Sequence, residues 1–194
     1  MRAYLIFLPS LLTGVIGAVG LWFHGQRFDQ AALAWPWQLL SGTVAAAALL
    51  AGAWWLERHL ASFRYASRLL ERSLMHLRLR LPTVFAAAAL SSLAEEIFFR
   101  GALMPYLGLW GQALVFAAMH PAPKRAWSYP AYTFVAGVVF GALTLYSHSL
   151  WPAILAHFLV NTHGFYEMWC RQQQQSLRQA PQEAAAQEAS AVED

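Results

Sequence analysis

Charge is what this sequence has least of. Only 12% of its 194 residues are Asp, Glu, Lys or Arg, against about 25% in an ordinary soluble domain, while 58% are hydrophobic and mean hydropathy is +0.39. A chain of this length could bury a large core, but it would still need polar residues to cover it. There are too few, and a soluble globular class is excluded. Cysteine is nearly absent too: Cys170 alone makes neither an internal disulfide nor a zinc ribbon, and leaves the redox compartment open. No HExxH sequence sets zinc ligands on a helix, and no internal repeat or separate soluble domain is visible.

What is present is a series of apolar runs. A hydrocarbon core of about 30 Å needs roughly 20 apolar residues in a helix. Residues 3–23 and 37–56 supply two clean runs; 82–99, 103–120, 131–147 and 150–169 supply four more, interrupted by polar residues or prolines. The expected fold is therefore all-α, a polytopic transmembrane bundle of about six spans. The first run is too long for the apolar part of a signal peptide and reads as a retained anchor. Pro36, Pro82, Pro130 and Pro152 fall at expected helix starts, where a missing N–H costs little. Trp35, Trp37, Trp54, Trp55, Trp151 and Trp169 cluster at span ends, as interfacial belts do. The expected division is a membrane domain over 1–171, with its motif core at 82–165, and a polar tail over 172–194 that is a frayed helix or disordered.

The net charge of +3 would suit nucleic acid, but the positive residues are concentrated in one place. Arg58, Arg64, Arg68, Arg72, Arg78 and Arg80 fill the expected loop between the second and third runs. That pattern is a topology signal, and no nucleic-acid partner is expected. Putting this loop in the cytoplasm also puts Arg2, Lys124, Arg125 and Arg171 there; the opposite side receives only Arg27, plus Arg100 of the motif itself. Both termini are then cytoplasmic.

Against this apolar background a few polar residues stand out. Each ionisable group near the middle of a membrane helix costs about 2.5–3.5 kcal/mol, so it marks a functional site by default. "SSLAEEIFFRG" places Glu95, Glu96 and Arg100 there. Glu96 and Arg100 are four apart and can pair on one face, whereas Glu95 points about 100° away. "FAAMH" adds Phe116 and His120, and "HFLVN" puts His157 and Asn161 on one face of the last run. Such residues can simply tie helices together, as in a scaffold or immunity protein, or relay protons in a transporter. Two histidines, an asparagine and an unpaired glutamate are also the equipment of hydrolysis: a carboxylate base and donors for an oxyanion. His24, His59, His76 and His148 fall at expected loop or interface positions and are read as solvated; His163, two residues past Asn161, points off that face and is read as interfacial.

In order and on apolar segments, "EEIFFRG", "FAAMH" and "HFLVN" resemble the three-motif signature EExxxR, FxxxH and HxxxN. That signature marks the type II CAAX prenyl endopeptidase family, also called the CPBP or Abi family of intramembrane proteases. The resemblance covers roughly residues 82–165. It implies an endopeptidase in which Glu95 activates water with help from His120. It further implies that His157 and Asn161 hold the oxyanion, with Glu96, Arg100 and Phe116 in support. It implies no cofactor, although two histidines and a carboxylate leave one Zn2+ open as an alternative. The expected partners are membrane lipid and a membrane-associated protein or peptide substrate, in a bacterial inner membrane; the oligomeric state stays open. For the two histidines to meet, at least one span must be broken, tilted or re-entrant, and Pro105, Pro121 and Pro123 are the candidate breakers.

Overall fold

The computed structural model describes residues 7–24, 31–74 and 80–192, and among them the chain is all-α. Helix α1 (Leu8–His24) is followed by α2 (Trp35–His59), α3 (Ala61–Leu74) and α4 (Leu81–Glu96). A π-helical segment (Ile97–Leu103) leads without interruption into α5 (Met104–Ala118). A short 3₁₀ turn (Lys124–Ala126) precedes α6 (Ser128–Ser147), and α7 (Trp151–Val192) completes the order. Pro36 and Pro82 sit in the first turns of α2 and α4, and Pro130 and Pro152 in those of α6 and α7. Arg2, Arg27, His76 and Arg78 lie outside the described residues.

Trp35–His59, Leu81–Ala118 and Ser128–Ser147 are long and apolar enough to cross a membrane, and Leu8–Phe23 is a shorter apolar helix. The way these helices pack agrees with a lipid surround. In α1 the large side chains Leu11, Leu12, Val15 and Val19 face outward and exposed, while the glycines face the bundle. A Cβ on Gly17 would stand 2.8 Å from the Phe98 backbone, so only glycine lets α1 lie this close to the π segment. Large residues outside and small ones inside is the reverse of a soluble helix.

The 38 residues of Leu81–Ala118 are not one straight rod. Sixteen residues of unbroken helix would separate Arg100 from Phe116 by about 24 Å. Instead the Arg100 guanidinium carbon lies 4.7 Å from the Phe116 ring centre, and Phe99 and Phe116 meet edge to face at 4.9 Å. The chain folds back at Gly108, whose φ of 65° and ψ of −176° are non-helical and open essentially to glycine alone. The break is thus at Gly108, not at the expected prolines: Pro105 sits inside the helix, and Pro121 and Pro123 lie in the connection to α6. The returning leg, from 109 to Ala118, extends about 15 Å, half a hydrocarbon core. The run expected to cross over 103–120 is therefore too short beyond its turn to span such a core, and it packs back against the π segment.

The expected arginine loop also differs. Most of it is α3, whose Phe63 and Ala66 are buried and whose Tyr65, Arg68, Leu69 and Arg72 are exposed. Its apolar side packs on α6 and the 3₁₀ turn, with Phe63 against Tyr132 at 5.5 Å and Ser62 Oγ donating to Ser128 Oγ at 2.7 Å. Arg171 of α7 grips Glu71 of α3 at 2.8 Å. Burial lowers the Arg171 pKa, but the Glu71 hydrogen bond and the neighbouring carboxylates raise it, and the net direction is upward. Between the arginines, Phe63 and Ala66 stand three apart and share one buried face, which makes this segment an amphipathic helix as well as a topology signal.

Helix α7 runs through the centre against α2, α4 and α6. Its Ala153 and Ala156 join Ala46, Leu49, Ala136 and Phe140 in the main apolar cluster. Its backbone stays helical to Val192, through the polar segment expected to be frayed or disordered, which is rich in the strong helix formers Ala, Gln and Glu.

Candidate active site

Fold-back geometry brings the polar residues to one level. Glu96 and His120 lie equally far along the chain from Gly108, on opposite legs of the hairpin. Phe140 and His157 are likewise nearly symmetric about the turn joining α6 to α7, and their rings stack at 4.9 Å and 17°. Residues from α4, α5, α6 and α7 thereby share one place.

The two adjacent glutamates have different surroundings. Glu96 is wholly buried, and its Oε1 accepts from Arg100 Nη1 at 2.9 Å, the pair expected from their spacing. The same oxygen lies 2.7 Å from His157 Nδ1. A carboxylate held by a guanidinium can only accept, so His157 Nδ1 carries the proton in this bond and Nε2 is left for the cavity. Glu96 is therefore more than an anchor for its own helix: it orients a histidine on α7. Arg100 is wholly buried as well. Its Nη2 donates to Gly137 O at 3.2 Å, and the rings of Phe99, Phe116 and Phe140 surround its guanidinium at 5.7, 4.7 and 5.2 Å.

Glu95 takes no part in that knot. Its side chain is 21% exposed, and its Oε2 lies 3.9 Å from His157 Nε2. That gap exceeds a hydrogen bond but keeps the two groups in electrostatic range. Glu95 faces a cavity of about 380 Å³, whose lining includes Ser91, His120, Tyr129, His157 and Asn161.

His120 is placed by the end of its helix. Helix α5 stops at Ala118, so the Phe116 carbonyl is among its unsatisfied last four. His120 Nδ1 approaches that carbonyl at 2.7 Å and donates to it, leaving Nε2 as the free ring nitrogen. The Phe116 ring meanwhile packs against His120 at 4.6 Å and His157 at 5.9 Å. The FxxxH spacing thus works through a backbone carbonyl as well as a ring. Asn161 Nδ2 donates to Ser91 Oγ at 3.0 Å, which spends one of its two N–H groups. His163, expected to be interfacial, is 52% exposed and 3.6 Å from Glu167, though it also borders the cavity.

The structure brings Glu95, His120, His157 and Asn161 to one cavity, with Glu96, Arg100 and Phe116 directly behind them. Among the described residues, no three His, Cys, Asp or Glu side chains converge to hold a metal ion. Sequence reasoning missed Ser91, Gln112 and Gly137. Ser91 precedes Glu95 by one helical turn, a spacing that marks it as sharing that face. Gln112, fully buried, donates to Gly137 O at 2.9 Å, and nothing in its local sequence points to that carbonyl.

Residues 77–163 match the model of a family described as type II CAAX prenyl endopeptidase Rce1-like. The match bears out the resemblance carried by the three motifs. The uncharacterized protein YpbD of Bacillus subtilis (strain 168) is 28% identical over 81 residues, 42% of this chain and 43% of that relative. The similarity thus spans less than half the length of the curated relative. No solved structure matches.

Proposed function

We propose, from the Rce1-like character of residues 77–163, that this chain is an intramembrane endopeptidase. It hydrolyses a peptide bond of a membrane-associated protein or peptide, without a cofactor. The observation that carries this reading is the convergence of Glu95, His120, His157 and Asn161 on one cavity from three separate stretches of chain.

In the proposed mechanism Glu95, the carboxylate not committed to Arg100, takes a proton from water. His120 Nε2, freed by the bond from Nδ1 to Phe116 O, orients that water. Attack on the scissile carbonyl makes a tetrahedral oxyanion, and the remaining Asn161 N–H faces it. His157, the second expected oxyanion residue, is fixed with Nε2 toward the cavity by its Nδ1–H bond to Glu96. The proton held by Glu95 then passes to the leaving amine. Both termini are cytoplasmic in this proposal, and the membrane is a bacterial inner membrane.

A reading in which these residues only tie helices accounts for Glu96, Arg100 and His157, which are buried and bonded to one another. It leaves Glu95 facing a cavity with no ion-pair partner closer than 3.9 Å among the described residues. Glu95→Gln separates the two. The endopeptidase reading expects full loss of cleavage with unchanged melting temperature and yield, read as the disappearance of cleaved products in proteomes of cells carrying wild type against the variant. Identical proteomes, or purified Glu95→Gln that still cleaves, would sink it.

A further inference from the structure

The expected oxyanion donors are largely committed elsewhere. His157 gives its Nδ1–H to Glu96, His120 gives its own to Phe116 O, and Asn161 gives one N–H to Ser91. In their neutral rings both histidines then offer the cavity a lone pair at Nε2, not a proton. A developing oxyanion needs preorganised donors, and one asparagine N–H is a thin supply.

Tyr129 fills that shortfall. It lies in the first turn of α6, lines the cavity with Glu95 and His120, and sets its ring 6.4 Å from the His120 ring at 65°. Its hydroxyl makes no hydrogen bond within the described residues. Tyr132, one turn on, also lines the cavity, but its hydroxyl donates to Leu49 O at 3.3 Å. The turn that carries Tyr129 is fixed by its neighbour Ser128, buried and bonded to Ser62 at 2.7 Å, so the ring is held rather than loose. A phenol is a neutral donor throughout the physiological range and needs no change of charge to serve.

We propose that Tyr129 is a further catalytic residue, whose hydroxyl donates a hydrogen bond to the oxyanion of the tetrahedral intermediate. The proposal rests on the endopeptidase reading. Its substrate is accordingly a peptide whose scissile carbonyl lies between Glu95 and Tyr129, with no covalent bond to the tyrosine.

Two measurements on the full-length protein test it. In proteoliposomes supplied with a quenched fluorescent library of membrane-helix peptides, Tyr129→Phe is expected to lower kcat about a hundredfold. KM and melting temperature stay at wild-type values, and Tyr146→Phe, at an exposed position on the same helix and outside the cavity, leaves kcat unchanged. In detergent, a pool of the same peptides with a phosphonate in place of one amide, a tetrahedral anion, is expected to raise the melting temperature of wild type and Glu95→Gln but not of Tyr129→Phe. Wild-type turnover by Tyr129→Phe, equal stabilisation of it by the phosphonates, or no stabilisation of any form would overturn the proposal. If wild type cleaves nothing yet is stabilised through Tyr129, the endopeptidase reading falls while the anion-donor assignment stands.

Discussion

Glu95 and Glu96 are the same residue type one position apart, and the helix alone gives them different chemistry. One turns to a cavity, the other to a guanidinium and an imidazole. Replacing Glu96 by Gln removes the negative charge that compensates Arg100 in a dry site. Breaking a buried pair from one side costs about 3–5 kcal/mol. Glu96→Gln is thus expected to melt well below wild type in detergent, and to lose activity through a misoriented His157. Arg100→Met on top of it removes the stranded cation and should recover much of the melting temperature without recovering activity. A Glu96→Gln protein that melts like wild type would show that the pair contributes nothing.

At the scale of elements, the decisive features are two departures from the α-helix. The π segment Ile97–Leu103 follows directly on the glutamates, and the backbone at Gly108 reverses the chain. Nothing lies within 4 Å of where a Gly108 Cβ would be, so the penalty for a side chain there is purely conformational. Gly108→Ala is expected to cost about 1–3 kcal/mol and to disturb the level of His120 relative to Glu95. Gly52, in the middle of α2, also has open space and ordinary helical backbone. Gly52→Ala should be neutral or stabilising, since alanine is favoured over glycine in a helix by about 1 kcal/mol. Thermal melts of the two variants side by side check this; equal melting temperatures would remove the hairpin strain from the account.

For the molecule as a whole, orientation and metal dependence each have a direct test. The arginine-rich α3 region predicts a cytoplasmic face for Arg68, which is exposed. With Cys170→Ser as background, Arg68→Cys should escape an impermeant maleimide in intact cells and react after lysis. Labelling from outside would invert the proposed topology. A glutamate-driven reaction predicts activity unchanged after exhaustive chelation and dialysis, whereas a zinc-bound water would be lost with its metal. Loss of activity on chelation, restored by stoichiometric zinc, would establish the alternative.

Composition and spacing by themselves determined the all-α character, the apolar runs, the proline-marked helix starts and the Glu96–Arg100 pair. These are local: hydropathy over a window, and neighbours one turn apart, need no knowledge of where the rest of the chain goes. The motif residues were legible for the same reason, because a polar group in an apolar run is conspicuous wherever it packs. Tertiary structure alone decided that 103–120 turns back at Gly108, that Glu96 holds His157, and that Asn161 leans on Ser91. A glycine in an apolar run carries no mark of its φ, and bonds spanning 61 and 70 residues depend on how deep each helix sits. Depth is set by packing against small residues such as Gly17, where backbones meet within 3 Å of an absent Cβ, and no local pattern encodes which backbone arrives there.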